Sequence, residues 1–202
     1  KEDLENKMIK IIIATSNPNK LKEINEINTN KNIVFSVVEG DFSPEENGKT
    51  FEENALIKAK EAAKITKTYC LADDSGLCVD ALEGQPGIYS SRYAETPQKR
   101  IEKLLKEMYG LPYDDRGAHF TCSMVLVDEN GNVLHTETGR VFGYINDTAL
   151  GKNGFGYDPI FYLSEYDKTM AELDENEKNK ISHRANALKP MLEWIEKTLC
   201  WQ

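Results

Sequence analysis

A mixed α/β fold is predicted by three features of the chain: a strand, turn and helix near its start, an alanine-striped helix behind a capping box, and a long two-stranded segment around an Asn-Gly turn. The first unit opens on Ile9-Lys10-Ile11-Ile12-Ile13-Ala14, a β-branched run that reads as a buried strand. Residues 19–27 follow with Leu21, Ile24 and Ile27 at helical spacing, joined to the strand by Thr15-Ser16-Asn17-Pro18-Asn19-Lys20. Residues 33–38 form a further strand, and a polar loop runs through Asp41, Pro44 and Gly48. Thr50-Phe51-Glu52-Glu53 matches a capping box, and Phe51, Ala55, Ala59, Ala62 and Ala63 share one stripe, which predicts a helix over 50–66.

A strand over 69–72 is expected to end at Asp73-Asp74-Ser75-Gly76, with residues 77–82 extended or turn-rich. Residues 97–108 read as a helix, and 118–127 and 132–145 as an antiparallel hairpin turned at Asp128-Glu129-Asn130-Gly131, where Asn-Gly favours positive φ. The polar stretch 174–180 reads as a surface loop, and a last helix follows Ser182, with Pro190 as a kink or interruption. No internal repeat or low-complexity linker divides the chain, so one continuous fold is expected.

With 202 residues and 40% hydrophobic content, the chain suits one domain or two closely packed lobes. Its formal charge of -9 opposes adhesion to nucleic acid or an anionic membrane. A free nucleotide remains possible, because a small anion needs only a local positive pocket or a carboxylate-held divalent cation. Cys70, Cys78, Cys122 and Cys200 form no C-x-x-C pair, so neither zinc nor a disulfide framework is signalled. No apolar stretch reaches the ~18 residues of a membrane span, and the charged residues 1–10 lack the run of a signal peptide. A reducing cytoplasm is the expected setting.

Four segments carry groups suited to chemistry. The turn from Thr15 to Lys20 combines short polar side chains, a helix N-terminus and a lysine, and serves either as a phosphate cradle or as an ordinary capped turn; it is not a Walker A loop. Asp73-Asp74 sets two carboxylates side by side, which favours a cation between them and a third acid; Glu45 and Glu46 are the candidates for that acid, and Lys58 lies about two turns into the following helix. The alternative is a solvated turn with an N-cap aspartate. Gly151 to Pro159 offers glycines for close backbone approach and the faces of Phe155 and Tyr157, for stacking on a base or for anchoring the loop in the core. Lys178 to Arg184 supplies donors able to meet a purine 6-oxo group, although a histidine such as His183 also serves in capping or packing. His119 and His135 show no metal-ligand spacing.

In this order the segments resemble the inosine triphosphate pyrophosphatase family of house-cleaning nucleotide hydrolases. The stretches that carry the resemblance are Ala14-Thr15-Ser16-Asn17 with Lys20, Thr50-Phe51-Glu52-Glu53-Asn54-Ala55 with Lys58, Ala72-Asp73-Asp74-Ser75-Gly76-Leu77, Pro86-Gly87-Ile88-Tyr89-Ser90-Ser91-Arg92-Tyr93, Gly154-Phe155-Gly156-Tyr157-Asp158-Pro159-Ile160-Phe161, and Ser182-His183-Arg184. The resemblance spans Ile11 to about Leu192 and implies a single such domain over 1–202, an elongated mixed sheet flanked by helices in two lobes with a central nucleotide cleft, and a homodimer.

It also implies hydrolysis of inosine, deoxyinosine and xanthosine triphosphate to the monophosphate and pyrophosphate with Mg²⁺. Thr15, Ser16, Asn17, Pro18, Asn19 and Lys20 would hold the triphosphate with Lys58; Glu46 and Asp74 would bind the metal, Asp73 would support them, and Asp74 would be the general base. Phe155, Gly156, Tyr157, Asp158, Lys178, His183 and Arg184 would form the purine pocket, with Ser75 near the nucleotide. Ser16 stands where many relatives have glycine. The extension 1–8 and Cys200-Trp201-Gln202 fall outside the resemblance. A pyrophosphatase for modified pyrimidines, of the septum-inhibitor-like family, and a nucleotide sensor without catalysis are the rival readings; the Ser-His-Arg and Phe-Gly-Tyr-Asp segments argue against the first, the full set of acids and lysines against the second.

Overall fold

The computed structural model describes residues 7–201. Expectations for residues 1–6, including most of the extension and the missing signal-peptide run, and for Gln202 lie outside the described residues. The sheet has seven strands in the order β2-β1-β3-β4-β5-β6-β7. β1 (Ile9–Ile13) pairs in parallel with β2 (Ile33–Val37) and with β3 (Cys70–Val79). β4 (Gly117–Val127) and β5 (Val133–Ile145) follow, and β6 (Phe161–Leu163) is antiparallel to β5 and to β7 (Lys168–Thr169). The sheet is mixed, as the strand-helix units and the hairpin predicted. At the hairpin turn the Asp128 carboxylate accepts the N–H groups of Asn130 and Asn132, each at 2.9 Å, and Gly131 takes φ +81°.

The chain forms two compact units: residues 7–74, 122–139 and 184–201, and residues 75–121 and 140–183. In the first, side-chain alternation along the strands sorts two cores. Ile11, Ile13 and Leu71 face α1 (Pro18–Ile27) and α5 (His183–Leu199), whereas Cys70 and Ala72 meet the alanine stripe of α2 (Phe51–Thr66). Thr50 caps α2 by accepting the Glu53 N–H at 3.1 Å. Only half of the capping box forms, because the Glu53 carboxylate reaches one residue further, to the Lys49 N–H. The expected interruption at Pro190 is absent: α5 runs through it, with Ala187, Leu188, Met191 and Leu192 buried on either side and fixing the helix across the missing N–H.

In the second unit, Thr96 caps α3 (Pro97–Glu107), whose Ile101 and Leu104 pack with Leu77, Phe120 and Phe161. Ser90 sits buried in the Pro86-to-Tyr93 segment, accepting the Leu77 N–H at 2.9 Å and donating to the Gly87 carbonyl at 2.6 Å. The stretch read as a surface loop is instead α4 (Glu175–Ile181). A capping box that composition concealed starts it: Asp174 accepts the Glu177 N–H at 2.8 Å, and Glu177 accepts the Asp174 N–H at 3.0 Å. Because this box sets the helix that carries Lys178, Asp174→Ala is expected to cost about 1 kcal/mol in a urea unfolding experiment.

The Asp-Asp-Ser-Gly segment also differs from expectation. β3 does not end at Ala72 but runs on to Val79, ten residues in all, with Asp73 and Asp74 buried in its interior. A solvated turn is thereby excluded. The two carboxylates can stay in a strand because each finds cations and donors on its own face.

Candidate active site

Strand alternation sends the adjacent carboxylates in opposite directions, so a cation shared between them, as their sequence adjacency suggested, is not the arrangement. Asp73 points to the α1 and α5 face. Its Oδ2 accepts from Lys20 Nζ at 3.2 Å, from Arg184 Nη2 at 3.1 Å and from the Cys122 thiol at 3.7 Å. Burial alone would raise its carboxyl, but Lys20, Arg184 and Lys58 outweigh that and hold it well below the usual carboxylate range. Asp74 points to the α2 face, where Asn54 Nδ2 donates to its Oδ2 at 3.1 Å. Burial pushes this carboxyl up; Lys58 and Lys20 pull against that, and Glu46 adds to it.

Lys58 reaches Glu46 Oε1 at 2.9 Å. Burial opposes its charge, yet Asp73, Asp74 and Glu46 together raise the ammonium above its ordinary value, so it stays protonated. Of the two glutamates in the preceding loop, Glu46 is the one turned to Lys58, while Glu45 is exposed.

The opposite shifts have a consequence for acid stability. A depressed carboxyl such as Asp73 adds stability that is complete above the unfolded value of about 4 and declines as pH falls below it. The stability difference between wild type and Asp73→Asn is therefore expected to be largest near pH 7 and to shrink at pH 3, as read from urea midpoints. A difference that grows on acidification would contradict this.

The turn ahead of α1 is a capped turn. Asn17 Oδ1 accepts the N–H groups of Asn19 at 3.0 Å and Lys20 at 3.4 Å, and Asn17 N–H donates to Thr15 Oγ1 at 3.1 Å. Pro18, at the first helical position, has no N–H. The cap thus occupies the backbone N–H groups of Asn17, Asn19 and Lys20. What the turn offers is the exposed Ser16, Pro18 and Asn19, the half-buried Thr15, and the Lys20 ammonium beside Asp73.

The second unit gathers a separate set. Asp158, buried, accepts the Phe155 N–H at 3.0 Å and Lys178 Nζ at 2.7 Å through the same Oδ2. The Lys178 ammonium also lies 4.7 Å from the centroid of the half-buried Phe155 ring, a cation-π contact. Gly154 takes φ +70°, and a Cβ there would come within 2.1 Å of Asp158 Oδ2, so the tight turn requires glycine. Tyr157 is buried and donates to the Ser90 carbonyl at 2.7 Å, which makes it an anchor of the loop. His183 is stacked on Phe120, centroids 4.9 Å apart, and Ser75 lies half-buried within β3. Arg184 stands in the first unit instead, fully buried on Asp73 and Glu23.

Sequence reasoning passed over three residues. Asn54 interrupts the apolar face of α2, where a polar residue in a buried stripe was the available signal; it accepts the Gly48 N–H at 2.8 Å as well as donating to Asp74. Glu23 on α1 pairs with Arg184, and Cys122 on β4 meets Asp73; neither has a local signature.

Among the described residues no group of three or more His, Cys, Asp or Glu side chains converges to hold a metal. Glu46 and Asp74 still fit a hard cation: both offer oxygen, and their mutual repulsion is one that a cation relieves. Mg²⁺ is commonly held by one or two carboxylates, with water and substrate phosphates completing its shell.

The model of the Ham1 family matches residues 11–194, nearly the whole chain. The chain belongs to the Ham1 family. It is similar to the dITP/XTP pyrophosphatase of Bacillus subtilis, 48% identical over 94% of this chain and 98% of that one. The dITP/XTP pyrophosphatase of Photorhabdus laumondii is 46% identical over 93% and 98%. Among solved structures, a HAM1 protein from Coxiella burnetii superposes with a TM-score of 0.84 at 42% identity, covering 95% of this chain and all of that one. The Ham1 protein of Staphylococcus aureus gives 0.82 at 41% identity over 93% and 98%. The mixed α/β sheet is thus the architecture of Ham1 proteins.

Proposed function

We propose that this Ham1 protein hydrolyses the triphosphates of deaminated purine nucleosides, inosine, deoxyinosine and xanthosine, to the monophosphate and pyrophosphate, keeping them out of nucleic acids. The observation that carries this is the pair of buried carboxylates at adjacent strand positions, braced by Lys20, Lys58 and Arg184, in a chain of the Ham1 family. Lys20, Lys58 and Arg184 face four carboxylates, Asp73, Asp74, Glu23 and Glu46, a balance that a bound divalent cation would turn in favour of a polyanionic substrate.

In this reading Glu46 and Asp74 hold Mg²⁺, which when bound supplies charge neutralisation across the phosphate oxygens. Lys20 and Lys58 neutralise the remaining charge of the triphosphate. Asp74, whose carboxyl burial raises, takes the proton of the attacking water, and Asp73 remains a fixed negative charge that orients its surroundings. The water oxygen bonds to the α-phosphorus as the bond to the bridging oxygen breaks, and the electron pair leaves with pyrophosphate. Phe155 offers a face to the base. Lys178, positioned by Asp158, donates to the 6-oxo group, and His183 is assigned the same role. Where adenine carries an amino group, that donor would face another donor.

A homodimer in the cytoplasm, acting on free nucleotides rather than on nucleic acid or membrane, completes the reading; the acidic balance supports the last part. Among the described residues no helix is long and apolar enough to cross a membrane.

Hydrolysis of inosine triphosphate in ¹⁸O-labelled water tests the bond cleaved. Label in the monophosphate is expected. Label in pyrophosphate, or release of diphosphate with orthophosphate, would refute attack at the α-phosphorus.

A further inference from the structure

Asn54 is a polar residue on the buried face of a helix. It shares that face of α2 with Ala55, Lys58, Ala59, Ala62 and Ala63, where asparagine is a weaker helix former than alanine and a buried amide must find partners. It finds them on two different elements of the first unit. Oδ1 accepts the Gly48 N–H at 2.8 Å, and Nδ2 donates to Asp74 Oδ2 at 3.1 Å. Because a backbone N–H only donates, the amide has one workable orientation, oxygen to the loop and NH₂ to the carboxylate. Gly48 stands two residues after Glu46, and its lack of a side chain lets the loop lie against the helix: a Cβ there would come within 2.7 Å of both Asn54 Oδ1 and Glu53 Cβ.

We propose that Asn54 is a positioning residue for the divalent cation: by bridging Gly48 and Asp74, it sets the spacing of the Glu46 and Asp74 carboxylates that hold the ion. This rests on the reading of those two acids as the metal ligands. Like charges on a loop and a strand move apart unless the backbone that bears them is fixed. Glu46 does act on Asp74, adding to the rise of its carboxyl, and Lys58 answers that charge through its 2.9 Å contact with Glu46. A lysine on a flexible stem neutralises without setting a distance. A planar amide on a helix does set one, since its two hydrogen bonds are directional and its base is rigid. Glu53 ties the next loop residue, Lys49, to the same helix turn at 2.6 Å, while Asn54 carries the tie on to β3. Carboxylates that ligate metals are ordinarily oriented by such a hydrogen bond.

Titration of Mn²⁺, a paramagnetic substitute for Mg²⁺, into nucleotide-free protein tests this, with free ion read by electron paramagnetic resonance and thermal midpoints taken in EDTA. Wild type is compared with Asn54→Leu, Gly48→Ala, Glu46→Gln and Asp74→Asn. Asn54→Leu keeps a side chain of similar length and a good helix former while removing both bonds. It is expected to raise the Kd for Mn²⁺ roughly 10- to 100-fold, the usual effect of losing a group that orients a metal ligand. Gly48→Ala works from the other end, forcing the loop off Asn54 while leaving the Asn54 and Asp74 side chains unchanged; a rise of about 10-fold is expected. Glu46→Gln and Asp74→Asn each remove a ligand and mark the loss of the site. If Asn54 served the fold alone, Asn54→Leu would lower the midpoint in EDTA and leave the Mn²⁺ affinity of the folded protein at the wild-type value.

A folded Asn54→Leu or Gly48→Ala protein whose Kd stays within about 2-fold of wild type overturns the proposal and leaves Asn54 a structural partner. Should Asn54→Leu not fold, Gly48→Ala decides alone. No Mn²⁺ bound by wild type, or undiminished binding by Glu46→Gln and Asp74→Asn, would overturn the metal reading itself and the inference with it. Binding that falls in those two variants and not in Asn54→Leu refutes this inference alone.

Discussion

Replacing Asp74 with asparagine is expected to lower kcat for inosine triphosphate roughly 10³-fold while leaving nucleotide affinity within a few-fold of wild type. The substitution preserves shape. The amide oxygen can still accept from Asn54 Nδ2, so the β3 to α2 contact survives and a folding defect is not the explanation for lost turnover. What disappears is the proton acceptor and one charged oxygen for the cation. Affinity persists because Lys20 and Lys58 are paired mainly with Asp73 and Glu46 and remain in place. Single-turnover rates and equilibrium binding of a fluorescent inosine nucleotide separate the two. Near-normal turnover with bound nucleotide would remove Asp74 from its assigned role.

The second large effect lies in the second unit. Lys178→Ala is expected to reduce the preference for inosine over adenosine triphosphate, measured as the ratio of kcat/KM values, roughly 10- to 100-fold. Two changes act together. The donor that meets the 6-oxo group is lost, and Asp158, buried with Lys178 Nζ at 2.7 Å, loses its counter-charge and its reason to hold the Phe155 turn. Inosine triphosphate should suffer most, because adenine gained nothing from that donor. An unchanged ratio, with both substrates slowed equally, would assign Lys178 to loop structure alone.

The fold was legible wherever a local signal existed. The capped α2, the Asn-Gly hairpin and the helix after Ser182 each rest on residues a few positions apart, and each forms with boundaries close to those expected. α4 was hidden because a short, charged helix has a composition close to that of a loop; only Asp174 and Glu177, spaced as a capping box, gave it away. The passage of β3 through Asp73 and Asp74 could not be read locally either. Two acids in a row argue for a turn until it is known that Lys20, Lys58 and Arg184 reach the strand from three helices. The same limit explains the partial reading of the site. Sequence order named Lys20, Lys58, Asp73 and Asp74, which the structure gathers, and Lys178 with Phe155 and Asp158, which it also gathers. The partners that brace them, Asn54, Glu23 and Cys122, are ordinary residue types made specific by tertiary packing. Arg184 adjoins His183 in sequence, yet its guanidinium goes to Asp73 and Glu23 while the His183 ring goes to Phe120.

The most direct test of the account is pyrophosphate release, with and without Mg²⁺, from inosine, xanthosine, adenosine, guanosine and thymidine triphosphates at equal concentration. Release that requires Mg²⁺ and is confined to inosine and xanthosine triphosphates is the predicted result. Equal release from adenosine triphosphate, or none from any purine nucleotide, would contradict it.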